Sequence, residues 1–467
     1  HPSLFLPQAS YHRKQQVWYK YYQCLLLNSS YCFLLQAAKL LKKNEIIALK
    51  VEKRKYFCIV KRLTINFRTI VKTVIITVTV YFLCVSAHGS TPGQHADLNA
   101  DTTSDSIEVS LLTCSSGEEV YSLYGHTALR YHNLHNGEDW TFNYGIFSFK
   151  KPFFVLRFTM GITDYELGVI PFNIFKREYA RTGRGVVEQV LNMTAEEKQT
   201  LYNALIENYS PENRVYRYNF FYNNCTTKVR DMIEHCLKGN IVYPEESSYP
   251  TYREAIHEYT VGHPWATFGN DLCIGAKADM AMSLREQQFL PDNLKNDFEK
   301  ARIKSADGEY KPLVTDTRTI IEPQIQIIEK EFPFSPTQCA YILLSISIVI
   351  AVIEYKRKRT FIAWDSLIML TDGIAGIILT VLLFSKHPTT STNLQVLLIN
   401  PLPLIYIYNV IKRRKTIYWK FSFTLIVLFF IGAFFQNYAD GINIVALSLL
   451  IRCWINMRLS ASPTSNK

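Results

Sequence analysis

Five apolar segments crowd the last third of this chain, running approximately over Cys339–Ile353, Phe361–Phe384, Leu394–Ile411, Tyr418–Gln436 and Ile442–Ile455. Each is near the ~20 residues a helix needs to cross a bilayer, and few charges interrupt them. In hydrocarbon every backbone polar group must be paired within the segment, so these stretches read as helices of a membrane bundle spanning about residues 336–457, with a cytoplasmic tail over 458–467. Lys356-Arg357-Lys358-Arg359 links the first segment to the second, and Lys412-Arg413-Arg414-Lys415 links the third to the fourth. Basic loops stay in the cytoplasm. The loops around Lys386-His387-Pro388 and Asn437–Asp440 then face outward, with everything before the first span. The third segment is the weakest, because Pro401 and Pro403 break a helix unless neighbours satisfy the freed carbonyls.

A second apolar run sits near the other end. Lys61, Arg62, Arg68 and Lys72 precede Val74-Ile75-Ile76-Thr77-Val78-Thr79-Val80-Tyr81-Phe82-Leu83-Cys84, followed by Val85-Ser86-Ala87. That is the charged, apolar and small-residue order of a secretory signal peptide over 61–87, cleaved at or near Ala87. An uncleaved anchor is the alternative, although the run is short for a span. No lipoprotein cleavage pattern precedes Cys84. The chain begins with His1 and its first methionine is Met160, so residues 1–60, which lack a clear period, read as an upstream extension rather than a domain. Signal segment and basic loops independently place residues 88–335 outside the cytoplasmic membrane.

The formal charge of +11 suggests a nucleic-acid partner only until it is located. Residues 1–72 hold 14 of the 51 Lys and Arg but 2 of the 40 Asp and Glu, leaving a net charge of −1 for the remainder. No nucleic acid is expected as a partner.

The exported stretch is long enough for one substantial core. Ile107–Thr113, Gly125–Tyr131 and Trp140–Tyr144 read as strands, being β-branched or aromatic and separated by Gly, Asn and Asp. Helical signals follow. Thr194 and Glu197 form a capping box before Leu201, Leu205 and Ile206. A helix over about Thr226–Leu237 carries Val229, Met232, Ile233 and Cys236 on one face, with Gly239 beyond it. The expected class is α+β, followed by an all-α membrane domain of about five transmembrane helices.

Of ten cysteines, Cys114, Cys225, Cys236 and Cys273 fall in the exported domain. Cys225 and Cys236 are separated by about 16 Å along one helix, too far for a disulfide. A Cys236–Cys273 bridge is open to an oxidising compartment, although Cys236 reads better as a small buried hydrophobe. Cys225 is different, because it stands between Asn223-Asn224 and Thr226-Thr227 at the start of a helix. There the macrodipole and unsatisfied N–H groups favour thiolate. A nucleophilic thiol wants a histidine, and His126, His132, His135, His235, His257 and His263 are available. His126 is the best placed, following Gly125 at the start of a strand. Histidine on a strand followed by cysteine on a helix is the order of a circularly permuted papain-like arrangement, in which a third polar group orients the ring. Asn143 on the next strand can fill that role. Asn224 and the Cys225 N–H are candidate oxyanion donors.

Ser110-Leu111-Leu112-Thr113-Cys114, Tyr124-Gly125-His126-Thr127-Ala128-Leu129-Arg130, Phe142-Asn143-Tyr144-Gly145, Arg217-Tyr218 through Asn224-Cys225-Thr226-Thr227, and Phe289-Leu290-Pro291 resemble the periplasmic domain of the Lnb family of Bacteroidota. The resemblance continues through Ser385-Lys386-His387-Pro388 and Asn400-Pro401-Leu402, covering roughly residues 105–455. It implies a permuted NlpC-type, lecithin:retinol acyltransferase-like thiol enzyme of lipoprotein N-acylation, multi-pass in the inner membrane with its catalytic domain in the periplasm. His126 is then the base and Cys225 the nucleophile; Asn143 is a less direct carry-over. Tyr124, within the histidine motif, and His387, in an outward loop, become substrate-contacting residues. The implied partners are membrane phospholipid as acyl donor, diacylated lipoproteins as acceptors, and the bilayer itself.

No cofactor or metal is expected: His132 and His135 lack further ligands and read as surface-loop residues. Phe147–Phe158, rich in aromatics with Lys150, Lys151 and Arg157, reads as either a loop dipping into headgroups or a core hairpin with charges outside. Asp271 and Asp279 hint at a carboxylate pair, but Gly269 and Gly275 make that segment look like turns. Two rival functions remain. One is an NlpC-type cysteine peptidase or amidase of cell-wall peptides, which leaves the spans without a role. The other is a non-enzymatic membrane receptor or assembly factor with a structural Cys225.

Overall fold

The computed structural model describes residues 106–147, 153–244, 248–324, 332–414 and 416–460. The expected extension over 1–60, the signal segment 61–87 and the first residues of the exported stretch lie outside the described residues, as do Lys150 and Lys151.

The N-terminal region mixes strands and helices. Strands β1 (Ile107–Cys114), β2 (His126–Asn133) and β3 (Glu138–Ile146) form a meander, followed by α1 (Phe154–Thr159), β4 (Asp164–Pro171), α2 (Phe172–Arg181), β5 (Val186–Leu191), α3 (Ala195–Tyr209), β6 (Val215–Arg217) and α4 (Cys225–Cys236). After β7 (Asn240–Val242) come α5 (Tyr252–Tyr259), α6 (Pro264–Cys273), α7 (Leu284–Gln287), α8 (Pro291–Lys300), β8 (Arg302–Lys304), β9 (Tyr310–Pro312) and β10 (Val314–Ile321). One antiparallel seven-stranded sheet runs in the order β10-β5-β1-β2-β3-β4-β6, and β7, β8 and β9 form a small second sheet. The three strands expected from the sequence are present. Strand β10 was not expected, since strands were read only in the first half; it returns to pair with β5 at the sheet edge.

Strand β1 is buried on both faces from Val109 onward. Because neighbouring side chains alternate sides, Leu111 and Leu112 enter different cores. Leu111 and Leu129, partners across β1–β2, pack with Leu201 and Leu205 of α3, Val229 and Ile233 of α4, and Leu294 and Phe298 of α8. Leu112 and Ala128, the next pair, pack on the other face with Phe172 and Phe175 of α2. The sheet is thus a filled middle layer, and α4 packs against β2 and β3, its Val229 and Ile233 sharing a core with Leu129 and Phe142. Helix α3 starts at the expected capping box: the Thr194 hydroxyl accepts from Glu197 N, and Glu197 accepts from Thr194 N.

The segment around Asp271 is not made of turns. It is helix α6 and a short 3-10 helix over Ala276–Asp279, and Arg253 holds both carboxylates, at 2.7 Å from Asp271 and 2.6 Å from Asp279. Cys236 and Cys273 are both free thiols. Cys236 lies in the core beneath the sheet, whereas Cys273 packs against the membrane helices, so the open bridge does not form.

The C-terminal region is helical: α9 (Pro336–Arg357), α10 (Ile362–Leu383), a 3-10 turn at Leu394–Leu397, α11 (Leu402–Ile411), α12 (Tyr418–Gly432) and α13 (Ile442–Ser460). Among the described residues, four segments are long and apolar enough to cross a membrane: α9, α10, Leu394–Ile411 and the stretch Ile442–Leu459. The fifth expected segment is α12, an apolar helix of 15 residues. The third segment breaks at Asn400-Pro401 as its prolines require. The Asn400 side chain closes the break, donating to the carbonyls of Leu397 and Leu398 and accepting from Leu402 N. Gly376 lets α10 approach this break, since a Cβ there would lie 2.1 Å from the Asn400 carbonyl carbon. Ile374, Ile378, Val349 and Phe434 face outward, as lipid-facing positions do. Helix α13 continues past residue 457, where the tail was expected to begin.

The two regions are joined by hydrogen bonds from the non-basic loops. Lys386 N donates to Met160 O at 3.0 Å, and Gly275 N to Thr389 O at 2.7 Å. The side chains of Asn393 and Gln395 donate to the carbonyls of Leu272 and Asp271, and Asn437 donates to Asp279. At the other end of the helices the two basic loops meet, with Arg413 donating to Thr360 O.

Candidate thiol site

The site begins with a turn that only glycine makes comfortably. Gly125 has φ +74°, and a Cβ there would lie 2.7 Å from Cys114 O. That turn makes His126 the first residue of β2, opposite Cys114 on β1. The next residue, Thr127, is fully buried, and its hydroxyl lies 3.1 Å from that of Thr226 on α4. This contact pins the start of β2 to the first turn of the helix.

Cys225 is the first residue of α4, and Asn224 is its N-cap. The Asn224 side-chain oxygen Oδ1 accepts from Thr226 N and Thr227 N, both at 2.9 Å. Its amide donates to Phe220 O at 2.9 Å and Phe289 O at 2.8 Å. The Thr227 hydroxyl accepts from Asn224 N. Both amide protons are therefore committed, which corrects the expectation of Asn224 as an oxyanion donor: it is a buried cap that fixes where the thiol stands. Lys228 N is taken by Asn224 O. The Cys225 N–H is the first-turn donor that the cap leaves unused.

The Nε2 of His126 lies 3.2 Å from Asn143 Oδ1. That bond occupies one ring nitrogen and leaves Nδ1 for the thiol. Asn143 is buried on β3, where the β3–β4 register shifts between Asn143 and Ile146. An irregularity there re-aims the strand, and Gly145, with φ +95°, carries it past Cys225 so closely that a Cβ would lie 3.7 Å from the cysteine Cβ. Burial pushes the Cys225 thiol up, but the His126 charge and hydrogen bond, the Thr127 N–H and the Thr226 hydroxyl outweigh it and hold the thiol at about 7, below the ordinary 9.0. Burial without such partners does the reverse elsewhere: Cys114 is pushed up to about 12, Cys273 to about 11, and Cys236 is also raised. Among the four described cysteines of this region, Cys225 alone is held below its ordinary value.

Tyr124 stacks edge-on against Phe220 at 4.8 Å, and its hydroxyl accepts from Asn270 at 2.6 Å. Burial pushes its phenol up to about 12, so it keeps its proton. His387 does not join the Cys–His–Asn cluster. Its Nε2 lies 2.9 Å from Phe158 O at the end of α1, and its ring 5.9 Å from that of Phe158. His132 is a strand residue rather than a loop residue, with its Nδ1 3.4 Å from Arg130; His135 is an exposed turn residue. His257 pairs with buried Asp271 at 2.8 Å. Among the described residues no three His, Cys, Asp or Glu side chains are placed to hold a metal ion.

Three residues near the thiol were missed: Tyr165 on β4, Tyr216 on β6 and Tyr218 just after it. Burial and the negative charge of Cys225 push all three phenols up. The tyrosine-rich approach to Cys225 was the available signal for two of them; Tyr165 lies on a strand the sequence reading did not include.

A family model described as the Lnb N-terminal periplasmic domain matches residues 94–258, and another, described as the Lnb transmembrane domain, matches residues 327–463. No curated protein and no solved structure matches the chain. The two models match in the order in which the chain presents a mixed α and β region and an apolar helical bundle: this membrane protein belongs to the Lnb family.

Proposed function

We propose that this protein is a thiol acyltransferase, with a permuted papain-like periplasmic domain, that moves a fatty acyl group from phospholipid to the N-terminal amine of lipoproteins. The observation that carries the reading is the pairing of Cys225 with His126 and Asn143 in a domain tied to the outward loops of membrane helices.

The Cys225 thiolate attacks an acyl ester carbonyl of a phospholipid. A C–S bond forms, and the negative charge moves to the carbonyl oxygen, where the Cys225 N–H is placed to receive it. As the tetrahedral intermediate collapses, the ester C–O bond breaks and the imidazolium of His126 returns a proton to the departing alcohol, giving a lysophospholipid and a thioester. The α-amine of a diacylglyceryl-cysteine then attacks the thioester. The C–N bond forms, the C–S bond breaks, the amine proton passes to His126, and the thiolate is regenerated. Asn143 orients the ring throughout. Donor and acceptor both reside in a membrane leaflet, which supports a multi-pass protein of the inner membrane whose basic loops are cytoplasmic.

Expression in a strain lacking lipoprotein N-acylation tests the proposal by mass spectrometry of lipoprotein N-termini. A third acyl chain on the α-amine is expected. Unchanged lipoproteins with altered muropeptides would transfer support to the amidase reading, and no change in either to a receptor.

A further inference from the structure

Aromatic side chains continue from the thiol to the membrane helices. Tyr218 stacks on Tyr165 at 4.0 Å, Tyr165 on Phe147 at 4.9 Å, Phe147 on Phe154 at 5.7 Å and Phe154 on Phe158 at 6.3 Å. At one end, Tyr165 and Tyr218 sense the Cys225 charge. At the other, Phe158 meets His387, and Lys386 N bonds to Met160 O, in the loop that ends α10. Exposure rises along this line, from 8% at Tyr165 to 41% at Phe158, with Leu156 and Phe153 beside it at 54% and 60%. Phe153 sits at φ 55°, a backbone conformation uncommon for a bulky residue.

From this continuity we infer that Tyr165, Phe147, Phe154 and Phe158 form the track along which the donor acyl chain lies, its carbonyl at Cys225 and its tail toward the membrane. The inference rests on the acyl-transfer reading and adds to it the residues that hold the chain. A self-contained hydrophobic core has no need to grow more exposed toward a membrane loop, and an acyl chain leaving lipid needs an apolar surface over its whole path.

Full-length protein in detergent is given dihexanoyl phosphatidylcholine or palmitoyl-oleoyl phosphatidylethanolamine, and the initial rate of acyl adduct formation on Cys225 is read by intact mass. In Phe154→Ser and Phe158→Ser the ratio of long-chain to short-chain rates should fall roughly tenfold, equivalent to losing one to two methylenes of burial. An unchanged ratio in folded variants overturns the track. In parallel, Cys225→Ala protein with its rings intact is irradiated with a phosphatidylcholine carrying a diazirine at the end of one acyl chain. Label on peptides from 147–165 is expected. Label confined to the outward faces of the membrane helices, or to residues 153–158 of a second copy, would contradict the track. Absence of an adduct from either donor alongside label on 147–165 would count against acyl transfer while leaving the lipid track standing.

Discussion

Among the buried clusters of ionisable side chains in this molecule, two are finished differently. In the membrane bundle, Arg452 of α13 bonds both oxygens of Glu354 on α9, at 2.6 and 2.9 Å, and Asp365 on α10 at 2.8 Å. Asn456 donates to the second Asp365 oxygen, and Phe361 N donates to Glu354. None of the three charged side chains is more than 1% exposed. At the thiol site, Cys225 is half-buried, its helix N–H is left over from the cap, and His126, which lowers the thiol's pKa, has one nitrogen held by Asn143. A cluster whose valences are closed joins three helices; one left partly open keeps a nucleophile available. The difference also predicts opposite consequences of substitution.

The largest effect is expected at the open cluster. His126→Ala should slow acylation of Cys225 by roughly 10²–10⁴-fold, the contribution of a positioned general base, while circular dichroism and the melting temperature stay near wild type. A large loss of stability would make His126 structural and erase the contrast.

At the closed cluster, Arg452→Met leaves two buried carboxylates without their counter-charge, at a cost of about 3–5 kcal/mol. Membrane accumulation should collapse. The triple change Arg452→Met, Glu354→Leu, Asp365→Leu should restore much of it, because removing all the charges also removes the desolvation penalty. Failure of that rescue would mean that the cluster does more than hold helices together.

Titration sharpens the comparison within one domain. Because the Cys225 thiol is held at about 7, its alkylation by iodoacetamide should rise with pH through that value, and fall about tenfold per unit below it. Removing the imidazole leaves burial unopposed by its largest counterweight, so in His126→Ala the midpoint should move upward. An unmoved midpoint would deny the pairing.

The smallest effects belong to the residues that position the others. Asn143→Ala should lower acylation about tenfold, with most of the loss in kcat rather than KM, and Asn143→Asp should recover part of it. Equal losses with no split between the two constants would point to general disorder of β3 instead.

How much of this could be read beforehand follows the range of the forces involved. The capping box of Thr194 and Glu197, the start of α4 and the break at Pro401 are local, and local residue chemistry was enough. The same pattern at Thr251 with Glu254, and at Ser283 with Glu286, was equally readable and went unused. Gly275 misled because its reason is tertiary: a Cβ there would lie 2.6 Å from the Thr392 backbone, a contact between the two regions that no local pattern announces. The role of Asn224 was misjudged for a related cause. Its polarity was visible, but the carbonyl of Phe289 that takes one of its protons lies 65 residues away. Strand β10 was hidden likewise, since its pairing with β5 spans more than a hundred residues.

The central claim is that Cys225 carries an acyl group between two lipids, and the acyl-enzyme itself tests it most directly. Full-length protein incubated with phospholipid alone should gain the mass of one fatty acyl chain, removable by neutral hydroxylamine, and Cys225→Ala should gain nothing. A diacylated lipopeptide with a free α-amine should discharge the adduct and acquire the chain, whereas its α-N-acetylated form should not. An adduct that drains as fast into water as into the amine, or a Cys225→Ala protein that still N-acylates the lipopeptide, would contradict the account.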